Sequence, residues 1–165
     1  MSEEKYRKIS DWFRNDERRL KAFVFIYKIL PCLVVMAYGI IVLYEVFWGT
    51  VSDTIRVLLV PAITFFLCTI FRRIINEQRP YESMNIHPLI QKKKKGQSFP
   101  SRHMVSAGVI AVAAMYINIV FGVIMIGIGI VIGIIRPIAG VHYVRDVIAG
   151  FVMGILCGII GLFII

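Results

Sequence analysis

The sequence predicts an all-α membrane protein, a polytopic transmembrane bundle of five to six helices that includes an N-terminal interfacial helix. Composition is the first reason: 58% of the 165 residues are hydrophobic and the mean hydropathy is +0.78, whereas soluble chains carry about 45–50% apolar residues. Patterning is the second, because the apolar residues gather into runs of membrane-spanning length separated by short polar connections. The length fits a single domain. A third observation concerns charge. Nineteen Lys+Arg against ten Asp+Glu give a net charge of +9, which in a membrane chain points to anionic headgroups or phosphorylated substrates. No zinc-finger or RNA-binding signature is present, so nucleic acid is not an expected partner.

Residues 1–22 alternate charges with Tyr6, Ile9, Trp12, Phe13 and Leu20. Spacings of three and four put several of these on one helical face, which suits an amphipathic helix on the membrane surface; a disordered charged tail is the competing reading. A start this charged argues against a cleavable signal peptide. Residues 23–165 form the expected transmembrane domain. Ala22 to Trp48 is the first span, with Lys28 and Glu45 near its ends and able to snorkel toward headgroups. After a polar linker, Gly49–Asp53, a second span runs from about Ile55 to Phe71. The long polar connection Arg72–Arg102 follows, and its Lys92–Lys95 run reads as a solvated basic stretch that attracts anionic lipid. His87 in the same connection has no partner at ligand spacing and reads as a loop histidine. Met104 to Ile135 would be about 48 Å as one helix, too long for a hydrocarbon core of about 30 Å. A turn at Asn118 and Gly122 splits it into two spans. Val147 to Ile165 is the fifth. Its glycines, with Gly122, Gly127, Gly129 and Gly133, are expected to let helices approach closely. Cys32, Cys68 and Cys157 lie in separate spans and read as small buried hydrophobes.

Splitting the third apolar run brings three charged clusters to one side of the membrane. Arg72 and Arg79 follow span two, Ser101-Arg102-His103 precede span three, and Arg136, His142 and Asp146 follow span four. Charges beside lipid-length apolar runs are costly and therefore functional candidates. His142 and Asp146 are four apart, one turn of a helix, so the carboxylate can hold the imidazole in one tautomer and make it a better nucleophile or base. Arginines converging on histidines describe a phosphate site. Ser101 precedes a helix start, where free N–H groups favour an anion. Two histidines amid many arginines would repel a metal cation, so no metal and no other cofactor are expected.

These motifs resemble the type 2 phosphatidic acid phosphatase (PAP2) family, which shares its active site with vanadium haloperoxidases. The family pattern is Lys-x6-Arg-Pro, then Pro-Ser-Gly-His, then Ser-Arg-x5-His-x3-Asp. Here the chain has Arg72-x6-Arg79-Pro80, Pro100-Ser101-Arg102-His103 and Ile135-Arg136-x5-His142-x3-Asp146. The resemblance covers about Ile55 to the C-terminus. It implies a metal-independent lipid phosphatase in which His142 attacks phosphorus, Asp146 orients it, and His103 protonates the leaving oxygen. Arg72, Arg79, Arg136 and Ser101 would hold the phosphoryl oxygens, with Arg102 as an extra donor. Three positions depart from the pattern: Arg72 for lysine, Arg102 for glycine and Ile135 for serine. None removes a catalytic group.

The implied substrate is a lipid phosphate, with undecaprenyl pyrophosphate favoured by analogy over phosphatidylglycerophosphate and phosphatidic acid. A catalytically silent lipid-binding or transport protein of the same fold is the competing class. The expected location is a cell membrane, crossed several times. Eighteen of the nineteen Lys+Arg fall on the active-site side and only Arg56 lies opposite. That bias favours a cytoplasmic site, while the family implies an extracytoplasmic one. Oligomeric state is left open.

Overall fold

The computed structural model describes residues 2–92 and 94–164; Lys93 of the basic run, Met1 and Ile165 lie outside them. The chain folds as an all-α bundle. Helix α1 spans Glu3–Arg14, α2 Glu17–Trp48, α3 Val51–Ile75, α4 Pro80–Ser83, α5 Arg102–Ile117, α6 Ile119–Ile138 and α7 Val144–Ile159. A π-helical turn, Ile160–Ile164, extends α7. Helices α2, α3, α6 and α7 are long and apolar enough to cross a membrane, and α5 is a shorter apolar helix among them. The protein is therefore a multi-pass membrane protein.

Each boundary has a local cause. Asp16 caps α2 by accepting hydrogen bonds from the backbone N–H of Arg18 at 2.8 Å and Arg19 at 3.3 Å, a common way to satisfy the free donors of a helix start. Thr50 caps α3 through the N–H of Asp53 at 3.1 Å. The connection between α2 and α3 is thus two residues, Gly49 and Thr50, and Asp53 belongs to the first turn of α3. Asn118 both ends α5 and begins α6, its Oδ1 accepting the Phe121 N–H at 3.1 Å. That is the expected turn, although Gly122 lies inside α6. At the other end of α3, Asn76 takes the left-handed conformation with φ 44° and stops the helix, four residues past the second arginine-bearing turn. Arg72 and Arg73 are thus part of α3, whose apolar run ends a turn earlier.

Helix α5 is the centre of the bundle, with α7, α6, α3 and α2 packed around it. Its residues from Met104 to Ala114 are almost all buried. At 16 residues it is about 24 Å long, less than the apolar thickness of a bilayer; protein rather than lipid surrounds it. Glycines set how closely α7 lies on α5. A Cβ on Gly154 would meet the Val105 carbonyl oxygen at 2.2 Å, and one on Gly150 would meet that of Ser101 at 2.6 Å. Gly129 and Gly133 are similarly close to neighbouring side chains, but Gly127 has nothing within 4 Å and has no such packing role.

The expected single segment 1–22 is divided, residues 17–22 belonging to α2; α1 is amphipathic, and its buried face meets protein. Tyr6 donates from Oη to the His87 carbonyl at 3.1 Å and accepts the Leu89 N–H at 3.0 Å. Arg14 donates to the same His87 carbonyl at 2.7 Å, and Arg7 to that of Asn85 at 3.0 Å. The helix is thereby fastened to the connection between α4 and α5, and the Tyr6 ring lies against Gly140. Two expectations fail. Glu45 turns inward and is buried, its carboxylate beside Gly49 where the missing Cβ leaves room, so it does not snorkel. Cys32 is exposed on α2 rather than buried, because the outer face of that helix has no protein neighbour to cover it.

Candidate active site

Six of the eight residues in the three charged clusters are buried at one end of the bundle, and Arg102 and His103 line a cavity beside them. Arg72 comes from the last turn of α3, Arg79 from the residue before α4, and Ser101 from the cap of α5. Arg136 comes from the end of α6, His142 from the turn after it, and Asp146 from the first turn of α7. All six are exposed by 7% or less. Ser101 and Asp146 are tied through the backbone, the Ser101 N–H donating to the Asp146 carbonyl at 2.9 Å. Gly150 makes this approach possible, since it lies directly under Ser101.

His142 and Asp146 pair, but not across a helical face. His142 precedes α7, whose cap is Tyr143, and Asp146 is the third residue of that helix. Asp146 Oδ2 accepts the Tyr143 N–H at 3.0 Å and the Ser98 hydroxyl at 2.5 Å, and it lies 3.5 Å from His142 Nδ1. The capping carboxylate of α7 thus also orients the imidazole. With Nδ1 on Asp146, Nε2 is the ring nitrogen left for chemistry. Burial pushes the His142 imidazole down to about 4, aided by Arg79 and Arg72 and opposed by its hydrogen bond to Asp146. At neutral pH the ring is uncharged and its lone pair is available.

The arginines differ in what they have left to give. Arg79 donates from Nε to the Gly96 carbonyl at 3.1 Å and from Nη1 to that of Val141 at 3.4 Å. Its position is braced by Glu82, which accepts its backbone N–H at 2.9 Å and that of Gly96 at 2.8 Å. Arg136 donates from Nη1 to the Tyr27 hydroxyl at 2.6 Å, with its guanidinium 4.3 Å from the centre of the same ring. Arg72 donates to the carbonyls of Ser98, Pro100 and Gln97, the first at 3.1 Å. A guanidinium has five N–H groups, so Nε and one Nη2 hydrogen remain. Arg72 Nε, Ser101 Oγ and Asp146 Oδ1 are buried polar atoms without a hydrogen-bond partner. Such atoms are rare in folded chains; Asp146 Oδ1 has Arg145 Nε at 3.8 Å, while Arg72 Nε and Ser101 Oγ are donors open to an anion. Among the described residues no group of three His, Cys, Asp or Glu side chains lies together as metal ligands would.

His103 and Arg102 face a cavity beside the cluster, and His103 stays within electrostatic reach of Arg136 and His142. Both line a cavity of about 530 Å³ enclosed by α2, α3, α5 and α6, whose other walls include Pro31, Val35, Pro61 and Phe65. His103 is exposed into it, while His142 is 4% exposed. Arg102 extends over the Phe65 ring, its guanidinium carbon 5.7 Å from the ring centre, so it stands beside the buried arginine cluster rather than within it. The basic run folds back toward the site: Lys92 Nζ lies 5.9 Å from the Tyr27 ring, and burial, Arg136 and Arg79 lower its pKa. His87 contributes only its backbone carbonyl.

Sequence reasoning missed Tyr27 and Ser98. Ser98 carried a weak signal, standing three residues before Ser101 in the same polar run. Tyr27 carried none, being one aromatic residue in an apolar span, 109 positions from the arginine it meets.

The fold and the buried Arg–His–Asp cluster define a polytopic membrane protein with an arginine- and histidine-bearing candidate site at one end of its bundle. The family model of the PAP2 superfamily matches residues 53–164, and the chain belongs to that superfamily. Among solved structures it is similar to LpxE of Aquifex aeolicus, with 22% identity, a TM-score of 0.63, and coverage of 87% of this chain and 93% of that one. It is also similar to a transmembrane PAP2-type phosphatidylglycerolphosphate phosphatase from Bacillus subtilis. That pair shares 23% identity with a TM-score of 0.66, covering 95% of this chain and 82% of the other. At these identities the likeness is one of fold. No curated protein sequence matches the chain.

Proposed function

We propose that this protein is a metal-independent membrane lipid phosphatase working through a phosphohistidine intermediate. The observation that carries the reading is the buried His142, held at Nδ1 by Asp146 in one cluster with Arg72, Arg79 and Arg136, with Arg72 Nε and Ser101 Oγ left without a partner. Nε2 of His142 attacks phosphorus as the bond to the lipid oxygen breaks, and His103 gives that oxygen its proton. Water then attacks phosphorus, His103 taking its proton, and as the new phosphorus–oxygen bond forms the phosphorus–nitrogen bond breaks, releasing inorganic phosphate and His142. Little covalent work falls to the protein beyond this; positioning and charge stabilisation dominate phosphoryl transfer. Arg79 and Arg136 supply the positive charge, joined by the remaining N–H groups of Arg72 and by Ser101. A cation among these arginines would be repelled, which supports a reaction without metal.

The apolar cavity beside His103 suits a lipid chain, since cavities of about 300–1,000 Å³ enclose ligands of that order. A lipid phosphate with its chain in this cavity presents its headgroup to the arginines. The similar Bacillus subtilis protein is a phosphatidylglycerolphosphate phosphatase, and undecaprenyl pyrophosphate stands first among the candidates here by analogy.

The test is phosphate release by purified protein in detergent with EDTA present. The substrates are undecaprenyl pyrophosphate, phosphatidylglycerophosphate and phosphatidic acid. Release that survives EDTA, vanishes in His142→Ala and falls by about 10²–10⁴ in His103→Ala is the expected result. Release abolished by EDTA refutes the metal-free mechanism. Lipid binding without release from any of the three favours a silent lipid-binding protein.

A further inference from the structure

Of the four arginines of the predicted site, Arg72, Arg79, Arg102 and Arg136, Arg102 is the one held least by the protein among the described residues. The others are tied to carbonyls or to Tyr27, whereas Arg102 has no ion pair and no hydrogen bond among the described residues; its contact is with the Phe65 ring. Its nearest charged neighbours repel it. Lys94, on the loop above, has its pKa lowered by burial and then by Arg102, Arg72 and Arg79. A guanidinium without an acidic partner beside an apolar cavity is open to an anion, and its planar fork matches phosphate oxygens. The arrangement calls for an anion in the cavity.

The position of Arg102 relative to the chemistry says which anion. It adjoins His103, and both line the cavity that would hold the lipid chain. The leaving group of the reaction proposed above must therefore lie on the Arg102 side. For a lipid monophosphate that leaving group is a neutral alcohol once protonated, and Arg102 meets no charge. For a lipid diphosphate it is a lipid monophosphate, and the anion falls beside Arg102. We propose that Arg102 is a specificity-determining residue that binds the lipid-proximal phosphate of a lipid diphosphate and stabilises the charge gathering there as the phosphoanhydride breaks. The bond from the bridging oxygen to the outer phosphorus is cleaved, inorganic phosphate leaves after hydrolysis, and the lipid keeps one phosphate. This rests on the phosphatase reading.

The experiment measures kcat/KM in detergent for farnesyl diphosphate and farnesyl monophosphate, which share a chain and differ by one phosphate. The wild type is expected to favour the diphosphate. In Arg102→Gln the ratio of the two kcat/KM values is expected to drop about 10–100-fold, the worth of a hydrogen bond to a charged group. Arg102→Gly, which carries the residue of the family motif, should lose the preference equally and guards against misfolding of the first variant. A ratio unchanged in both variants, or a fall on both substrates alike, overturns the assignment while leaving the phosphatase reading intact. A wild type that turns over neither probe overturns both.

Discussion

Gly150 is where packing and catalysis meet most directly, and Gly150→Ala tests the connection. The added methyl would lie 2.6 Å from the Ser101 carbonyl oxygen, 3.1 Å from Met104 Cβ and 3.2 Å from the Ser101 nitrogen. Ordinary contact begins near 3.4 Å, so α5 and α7 must part by about 0.8 Å at this point, in an interior with no slack to absorb it. The moving part is the cap of α5. Ser101 would be drawn from the Asp146 carbonyl that its N–H reaches at 2.9 Å, and the free N–H groups at the helix start would shift with it. Displacement of about 1 Å at a reacting centre can cost about 10²-fold, and overpacking costs about 1–3 kcal/mol of stability. We therefore expect kcat for lipid phosphate hydrolysis to fall about 10–100-fold, with a lower thermal unfolding midpoint in detergent. Gly127→Ala is the matched control: nothing lies within 4 Å of its Cβ, and it should keep full activity and gain about 0.5–1 kcal/mol. A Gly150→Ala protein with wild-type kcat would show that the close approach of α7 to Ser101 does not set the geometry of the site.

Other outcomes follow from single contacts. Tyr27→Phe removes the acceptor of the 2.6 Å bond from Arg136 while keeping the ring beneath the guanidinium; kcat/KM should drop about tenfold, and an unaltered value would mean that Arg136 needs no brace. Ser98→Ala deletes the 2.5 Å bond to Asp146 and leaves the carboxylate less fixed, so kcat should fall with little change in KM. The acid limb of kcat/KM should have its midpoint near pH 4. Burial holds the His142 pKa at about 4 against an ordinary 6.5, so the ring stays neutral and nucleophilic as pH falls from 7 to 5 and is lost only below that. A midpoint near 6.5 would refute this. Sidedness is read with Lys94→Cys in a chain whose Cys32, Cys68 and Cys157 are replaced. Protection from an impermeant thiol reagent in intact cells is expected from the charge bias, and labelling would put the site on the outer face.

The spans were legible because membrane crossing is a local property, decided by run length and charge, and Asn118 marks its own helix end; the Thr50 and Asp16 caps went unread. The motif spacings were legible for the same reason. His142 and Asp146 do meet, though the four-residue spacing suggested a helical face and the structure uses a helix cap instead. A sequence spacing fixes which residues can approach but not the backbone that brings them together. Glu45 and Cys32 went against expectation because burial depends on what packs outside a helix, and hydropathy does not report a helix's neighbours.

By itself, then, the amino-acid sequence determined that this chain crosses a membrane several times and that its arginines, histidines and aspartate gather at one end. Tertiary structure alone decided that Tyr27 braces Arg136, that Ser98 shares Asp146 with His142, that α1 is fastened over the α4–α5 connection, and that Arg102 turns to the apolar cavity. Those contacts join residues from helices far apart in the chain, or depend on the room between them. They are set by how closely glycine-bearing helices approach, and no short-range pattern encodes that distance.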